Sequence, residues 1–395
     1  MKTLEHLLAA CAVLLGSMVS PAFAHSDMHM GAEPTLGASA VFAPDGRLWV
    51  VTAHDGHVWL RHSDDFGKTL SRPVAVNAEA EAVSAEGENQ PKIALGSQGA
   101  IYVSWTHPLP KPWTGFIRFA RSLDGGKHFD APITVHHDRA QITHRFGALA
   151  VDAEGHVFVA WIDKRDLAAA KADGKPYAGA AVYYAWSGNR GKSFEPERKL
   201  ADHSCECCRM AVAPTPDGDI GVFWRSVFGD NIRDHSYAVM HYGQDAPTVA
   251  RATFTDWQVA GCPHQGPGLA LTADGHADGV WFSAKDGAPT IWYGTLDPGK
   301  KPRHLTKLAG SGAAHADVAV AGKTVWVVWN QFAPRGTELA LRVSHDGGAS
   351  FGKPQTLASV EGAAYSPQLL RFHDRTYVAW NTDKGFKLVR IGSRS

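Results

Sequence analysis

The chain has 395 residues, with 39 Lys and Arg balanced by 39 Asp and Glu. That balance excludes capture of nucleic acid or of acidic surfaces by bulk charge. With 44% apolar residues, 20% charged residues and 40 glycines, the chain is neither disordered nor collagen-like.

In chain order, the first segment reads as an export signal. Lys2 precedes an apolar run from Leu7 to Val19, and Ala22-Phe23-Ala24 places small residues at the cleavage positions. Residues 1–24 are therefore expected to be a signal peptide, with His25 as the new terminus in a bacterial periplasm. A lipoprotein signal at Leu8-Ala9-Ala10-Cys11 leaves too short an apolar core. No later segment reads as transmembrane. Residues 25–32 form a His/Met-rich tail. His25, Met28, His29 and Met30 offer imidazoles for Cu(II) and thioethers for Cu(I); the plainer reading is a solvated, mobile end.

From residue 33 onward one unit repeats. Short apolar strands ending in or near a Trp occur at Leu48–Thr52, Ile101–Trp105, Val157–Trp161, Ile220–Trp224, Gly279–Ser283, Val325–Trp329 and Tyr377–Trp380. Their last residues lie 53, 56, 63, 59, 46 and 51 apart. Another short strand and a turn such as Pro44-Asp45-Gly46 or Pro216-Asp217-Gly218 precede most of them. Such a period predicts an all-β fold, a seven-bladed β-propeller of four-stranded antiparallel blades over 33–395. Six blades with an irregular terminal unit is the alternative. The last unit has room for three strands, so closure is expected to draw a fourth from Glu33–Gly37.

A second marker lies between the third and fourth strands. Its copies are Ser63–Leu70, Ser122–Phe129, Ser187–Phe194 and Ser344–Phe351. They resemble the Asp-box, or bacterial neuraminidase repeat, of the sialidase-like propellers. Leu70, His128 and Asn189 depart from that pattern. The Asp or Asn ties a tight turn and the aromatic fills the gap between sheets, so the marker speaks for fold and not for activity.

Up-and-down blades put D-to-A joins and B-to-C loops on one face, Asp-boxes on the other. The working face is expected where the long joins lie, including Thr106–Gly115, Asp163–Gly179 and Arg225–His235. Two neighbouring D-to-A joins carry every cysteine after Cys11. One is His203-Ser204-Cys205-Glu206-Cys207-Cys208-Arg209-Met210; the other is Gly261-Cys262-Pro263-His264-Gln265-Gly266-Pro267. Cys205, Cys207, Cys208, Cys262 and His264, with Met210 as a thioether, suit a soft metal, copper before zinc. Disulfides are the competing use of these cysteines in an oxidising compartment. One bridge between the two joins would still leave two thiols. Arg209, Arg225, Arg233, Asp234 and His235 are read as a supporting ion-pair network.

Cys-Glu-Cys-Cys-Arg, Arg-Asp-His and Gly-Cys-Pro-His-x-Gly-Pro together resemble a group of secreted bacterial sialidase-like propellers. That resemblance implies copper handling, with a periplasmic or outer-membrane metal-transport protein as partner and no settled enzymatic activity. A monomer binding no nucleic acid is expected. Two alternatives remain. A sialidase or related glycosidase is suggested by Ala364-Tyr365-Ser366-Pro367, with Arg145, Arg209 and Arg233 as carboxylate-binding candidates, but unit one lacks the usual early Arg and no carboxylate pair stands out. The other is a non-catalytic protein-binding propeller with all its cysteines bridged. His144 and His315 are placed in D-to-A joins within reach of the channel mouth.

Overall fold

The computed structural model describes residues 36–244 and 246–392. They form seven antiparallel sheets, each of consecutive strands, the arrangement of a seven-bladed β-propeller. Blade one comprises Ala38–Phe42, Leu48–His54, His57–Ser63 and Val74–Ala75; blade two Lys92–Leu95, Ile101–Pro108, Gly115–Ser122 and Ile133–Thr134. Blade three comprises His144–Val151, Val157–Asp163, Ala180–Ser187 and Arg198–Ser204; blade four Ala211–Pro214, Ile220–Arg225, His235–Met240 and Ala250–Arg251. Blade five comprises Gly268–Leu271, Ala277–Ser283, Thr290–Asp297 and Lys300–Ala309; blade six Ala313–Ala321, Thr324–Ala333, Gly336–Ser344 and Gln355–Val360. Blade seven has three strands among the described residues, Gln368–Phe372, Arg375–Thr382 and Gly385–Arg390.

All seven apolar strands read from the sequence are second strands, each a little longer than expected. A second strand is paired at both edges and covered on both faces, so it is apolar without alternation. Val157–Asp163 is buried at every position. Trp161, Trp224, Trp281, Trp329 and Trp380 are fully buried. Each indole removes about 150–250 Å² from water, roughly 4–6 kcal/mol of transfer free energy.

The Asp-boxes sit between third and fourth strands, as expected. Asp124 accepts from Ser122 Oγ (2.8 Å) and from the His128 amide (3.0 Å). His128 Nδ1 lies 2.7 Å from the other Asp124 oxygen, the contact that Thr69 Oγ1 makes to Asp65 in the first copy. The unusual His therefore keeps the turn's hydrogen bond. Phe194 packs edge-on against Phe119 of the preceding blade, at 4.9 Å and 84°, and Phe351 packs likewise on Tyr293.

The ring closure read from the sequence falls only partly within the described residues. Residues 33–35 lie outside the described chain, and Leu36 and Gly37 are not in a strand. Closure among the described residues rests on packing of Ala40, Leu48 and Val50 against Leu370, Tyr377 and Ala379. Two side chains reinforce it: Gln368 Oε1 accepts from the Ala40 amide (3.0 Å), and Asn381 Nδ2 donates to Leu36 O (2.7 Å). The segment 163–179 differs from the irregular loop expected, since it contains a helix, Arg165–Ala172. Its Ala168-Ala169-Ala170 run favours helix, but it buries no residue and so carries no apolar stripe to betray it. No helix among the described residues is long and apolar enough to cross a membrane.

Candidate functional site

Blade three ends at Ser204, and residues 205–210 cross to the inner strand of blade four. Residues 252–267 cross from blade four to blade five. The first join is pinned to blade four: Ser204 bridges Ser226, and the Cys205 amide donates to Arg225 O (2.9 Å). The second meets it through a disulfide between Cys207 and Cys262, whose Cα atoms are 6.2 Å apart. All four sulfurs thus converge, as the two joins implied. Cys205 and Cys208 remain thiols, both buried. Their sulfurs are 3.6 Å apart, and Cys205 Sγ lies 3.9 Å from Cys207 Sγ. The sulfurs of Cys205, Cys207 and Cys262 all lie within 4.8 Å of one another. Cys207 is buried, whereas Cys262 reaches solvent.

Five metal ligands plus a thioether were expected in one set. The disulfide divides that set, because Cys207 and Cys262 are bonded to each other. Met210 is buried in the same cluster as Cys205, Cys207 and Cys208. His264 sits exposed on the solvent side. His25, Met28, His29 and Met30 lie outside the described residues, as does the expected signal peptide.

The thiols are electrostatically unequal. A hydrogen bond from Cys208 holds the Cys205 thiol below its usual range against the opposing effect of burial, with Arg225 and Arg233 assisting. Burial, then the bond that Cys208 donates to Cys205 and the charge of Cys205, push Cys208 well up. Arg225 is almost wholly buried and pairs with no carboxylate among the described residues. It donates to the carbonyls of Arg233 (3.1 Å), Gln265 (3.0 Å) and Phe282 (2.8 Å) and lies over the Trp257 ring at 5.5 Å. It is a buried cation that wants a negative neighbour.

The supporting network differs from the one read in the sequence. Asp234 does not pair with Arg209, Arg225 or Arg233. It accepts from Arg251 (2.5 Å), the hydroxyls of Thr253 and Thr255, and two amides of residues 255 and 256, which fixes the blade-four outer turn. Arg233 donates to Val259 O (3.3 Å). His235 is buried beside Thr253, and burial together with the charge of Arg225 drives its imidazole neutral.

Arg209 reaches instead to Glu88, a residue the sequence reading did not single out. Glu88 is fully buried and receives Arg209 Nη1 (2.6 Å), the Arg209 amide (3.2 Å), the Gly266 amide (2.6 Å) and His315 Nδ1 (3.0 Å). One carboxylate from the blade-one-to-two join therefore ties together both cysteine joins and blade six. Burial raises the carboxyl's pKa, but Arg209 and His315 outweigh it and bring it down to about 2. Gly266 is required here: a Cβ would meet Glu88 Oε2 at 2.8 Å and Arg209 O at 2.6 Å. The only sequence signal was the Gly266-Pro267 motif itself, which gave no clue to its partner 178 residues away. His315 and His144 lie in inner strands, not in joins.

Each arginine proposed for a sialidase is already held by a protein partner. Arg145 pairs with Glu86 and packs on Trp113 and Phe146; Arg209 pairs with Glu88; Arg233 holds a carbonyl. Tyr365 is buried and donates to Gln90 Oε1 (2.9 Å), and burial with the Glu88 charge pushes its phenol well above 10.

No family model matches the chain, and no curated protein sequence matches it. Solved structures do. A polysaccharide lyase described as an ulvan lyase, bound to an oligosaccharide, aligns at 10% identity over 89% of this chain and 91% of its own, with a TM-score of 0.56. Another polysaccharide lyase aligns at 10% identity over 90% of both chains, TM-score 0.56. A Hadza microbial sialidase aligns at 12% identity over 87% of this chain and 76% of its own, TM-score 0.51. At such identities the likeness speaks for architecture alone: the fold is that of the sialidase-like propellers.

Proposed function

We propose that this is an exported, periplasmic copper-binding propeller that holds Cu(I) between Cys205 and Cys208 at the rim shared by blades four and five. The observation that carries the reading is the 3.6 Å separation of two buried thiol sulfurs. With metal–sulfur bonds of about 2.3 Å, that separation subtends roughly 100° at the metal. Such an angle leaves room for a third ligand, and Met210, buried in the same cluster, supplies a thioether of the right softness. Two thiolates with one Cu(I) carry a net negative charge, which answers the uncompensated Arg225. Zinc fits less well, since structural zinc takes four ligands and two of the four cysteines are bonded to each other. A periplasmic or outer-membrane metal-transport protein is the proposed partner.

The test is competition for Cu(I) against a coloured chelator, with unreduced protein. One Cu(I) per chain, lost in Cys205→Ser and Cys208→Ser and retained in His264→Ala, supports the reading. No copper taken from the chelator, or uptake by both serine variants equal to that of wild type, ends it. A glycan-acting enzyme is the second reading, supported by the buried Tyr365–Gln90 pair beside Glu88 and Arg209. Turnover of a sialoside or an acidic polysaccharide, abolished in Tyr365→Phe, would favour it.

A further inference from the structure

The working face carries a second cluster, at the rim shared by blades two and three, that the cysteine site leaves unused. Trp113, in the B-to-C loop of blade two, is 51% exposed. The Arg145 guanidinium lies against one side of its ring, 5.4 Å from the centroid, and is backed in turn by the buried Phe146 ring at 5.1 Å. One face of the indole is thus covered and the other is open to solvent. Both aromatic residues hold left-handed backbone, with φ of +63° at Trp113 and +57° at Phe146, a region that bulky side chains seldom occupy. Neighbouring segments fix each of them. Thr143 Oγ1 donates to Trp113 O (2.7 Å), and the Phe146 amide donates to Asn89 Oδ1 (2.9 Å). The stack is therefore set before any ligand arrives, and it holds a large apolar face in water, where folding gains little from it. Glu86, half exposed in the join between blades one and two, pairs with Arg145 Nη2. Among the described residues it is the sole acceptor on that guanidinium.

The Arg145–Glu86 pair cancels in charge and sets a donor and an acceptor side by side next to the indole. The guanidinium also draws π density toward the covered side of the ring. The open side therefore suits a neutral C–H face better than a second cation. A ligand that combines a flat C–H face with hydroxyls able both to give and to accept hydrogen bonds is a pyranose. We propose that Trp113, Arg145 and Glu86 form a binding site for neutral, gluco-configured oligosaccharides, in which a pyranose lies on the open indole face, one hydroxyl accepts from Arg145 and another donates to Glu86. Equatorial hydroxyls leave only C–H bonds on the faces of such a ring, which is what a flat platform needs. A carboxylated sugar would instead meet the Glu86 carboxylate, and its charge would find Arg145 already neutralised. The site holds a sugar and does no chemistry on it, and it shares no residue with Cys205, Cys208 or Tyr365.

The test is isothermal titration of metal-free, full-length protein with two neutral probes, cellotetraose and N-acetylchitotetraose, and two acidic ones, tetragalacturonate and sialyllactose. The site predicts saturable binding of a neutral probe, with the acidic probes about tenfold weaker. Trp113→Ala should weaken the neutral probe about tenfold and still fold, because the side chain it removes is half in water. Glu86→Gln leaves the Arg145 charge unopposed, so the acidic probes should bind that variant more tightly than they bind wild type. A damaged fold cannot produce that gain, which keeps the test decisive if a variant is unstable. No binding of either neutral probe overturns the proposal. So does neutral binding unchanged in Trp113→Ala, or wild-type protein that prefers the acidic probes. Metal is absent throughout, so failure here leaves the copper reading standing, and failure of copper uptake leaves this site standing.

Discussion

Glu88→Gln removes one charge and keeps the shape and one acceptor, so it isolates the electrostatic part of the tie between the cysteine joins. The carboxyl falls from 4.5 to about 2 in the fold, a shift worth about 3 kcal/mol at neutral pH. Breaking a buried ion pair from one side gives a similar figure, roughly 3–5 kcal/mol. With an unfolding entropy near 2.1 cal/mol/K per residue over roughly 360 residues, 3 kcal/mol lowers the melting temperature by about 4 °C. The sign of the pH dependence follows from the depressed pKa. The stabilisation is complete above the unfolded value and is lost as pH falls through the folded one. By about pH 3.5 it has shrunk to about 2 kcal/mol. Thermal unfolding followed by circular dichroism should therefore show the variant melting about 4 °C below wild type at neutral pH, with the gap narrowing as the buffer is acidified. A gap under about 1 °C at neutral pH, or one that does not narrow in acid, would refute the role given to Glu88.

Other predictions follow from the same packing. Reducing the Cys207–Cys262 bridge opens a loop of 55 residues; loop entropy assigns about 4 kcal/mol to that closure, a fall of roughly 5–6 °C in the reduced protein's melt. Gly191→Ala puts a methyl 2.6 Å from the Phe119 ring at a φ of +75°, so it should destabilise by about 2–4 kcal/mol in denaturant titration. Gly155→Ala, at a φ of +91° with nothing within 4 Å, should show only the backbone share, about 1–2 kcal/mol; equal losses at both sites would contradict the packing described. Trp380 is fully buried, and its indole nitrogen donates to Asn330 Oδ1 (2.9 Å). Trp380→Ala should cost about 3–5 kcal/mol, and a loss under about 1 kcal/mol would show that the blade interface had been misread.

The architecture was legible because its devices are local. A strand buried on both faces shows as an unbroken apolar run, and an Asp-box shows as a turn whose hydrogen bonds stay within eight residues. Even His128 could be accommodated, since an imidazole nitrogen reaches the same Asp124 oxygen as a hydroxyl. Convergence of the cysteine joins was legible for a related reason: consecutive blades place equivalent joins side by side. Which sulfurs bond was not legible, because Cys205, Cys207 and Cys208 differ only in side-chain direction within one turn. Glu88 was hidden by distance, since its partner Arg209 lies 121 residues away and nothing around Gly87-Glu88-Asn89 repeats. The ion-pair network failed for the opposite reason. Asp234 is adjacent to Arg233 in sequence, but its carboxylate is taken up by Arg251 and by the turn at Thr253–Asp256.

In the proposed site two sulfurs from one turn, those of Cys205 and Cys208, grip a soft ion. X-ray absorption at the copper edge of Cu(I)-loaded protein measures that contact directly. The account predicts sulfur neighbours at about 2.3 Å in wild type, gone when Cys205 and Cys208 are both replaced by Ser. A first shell of nitrogen and oxygen alone, or a sulfur shell unchanged by the double replacement, would contradict it.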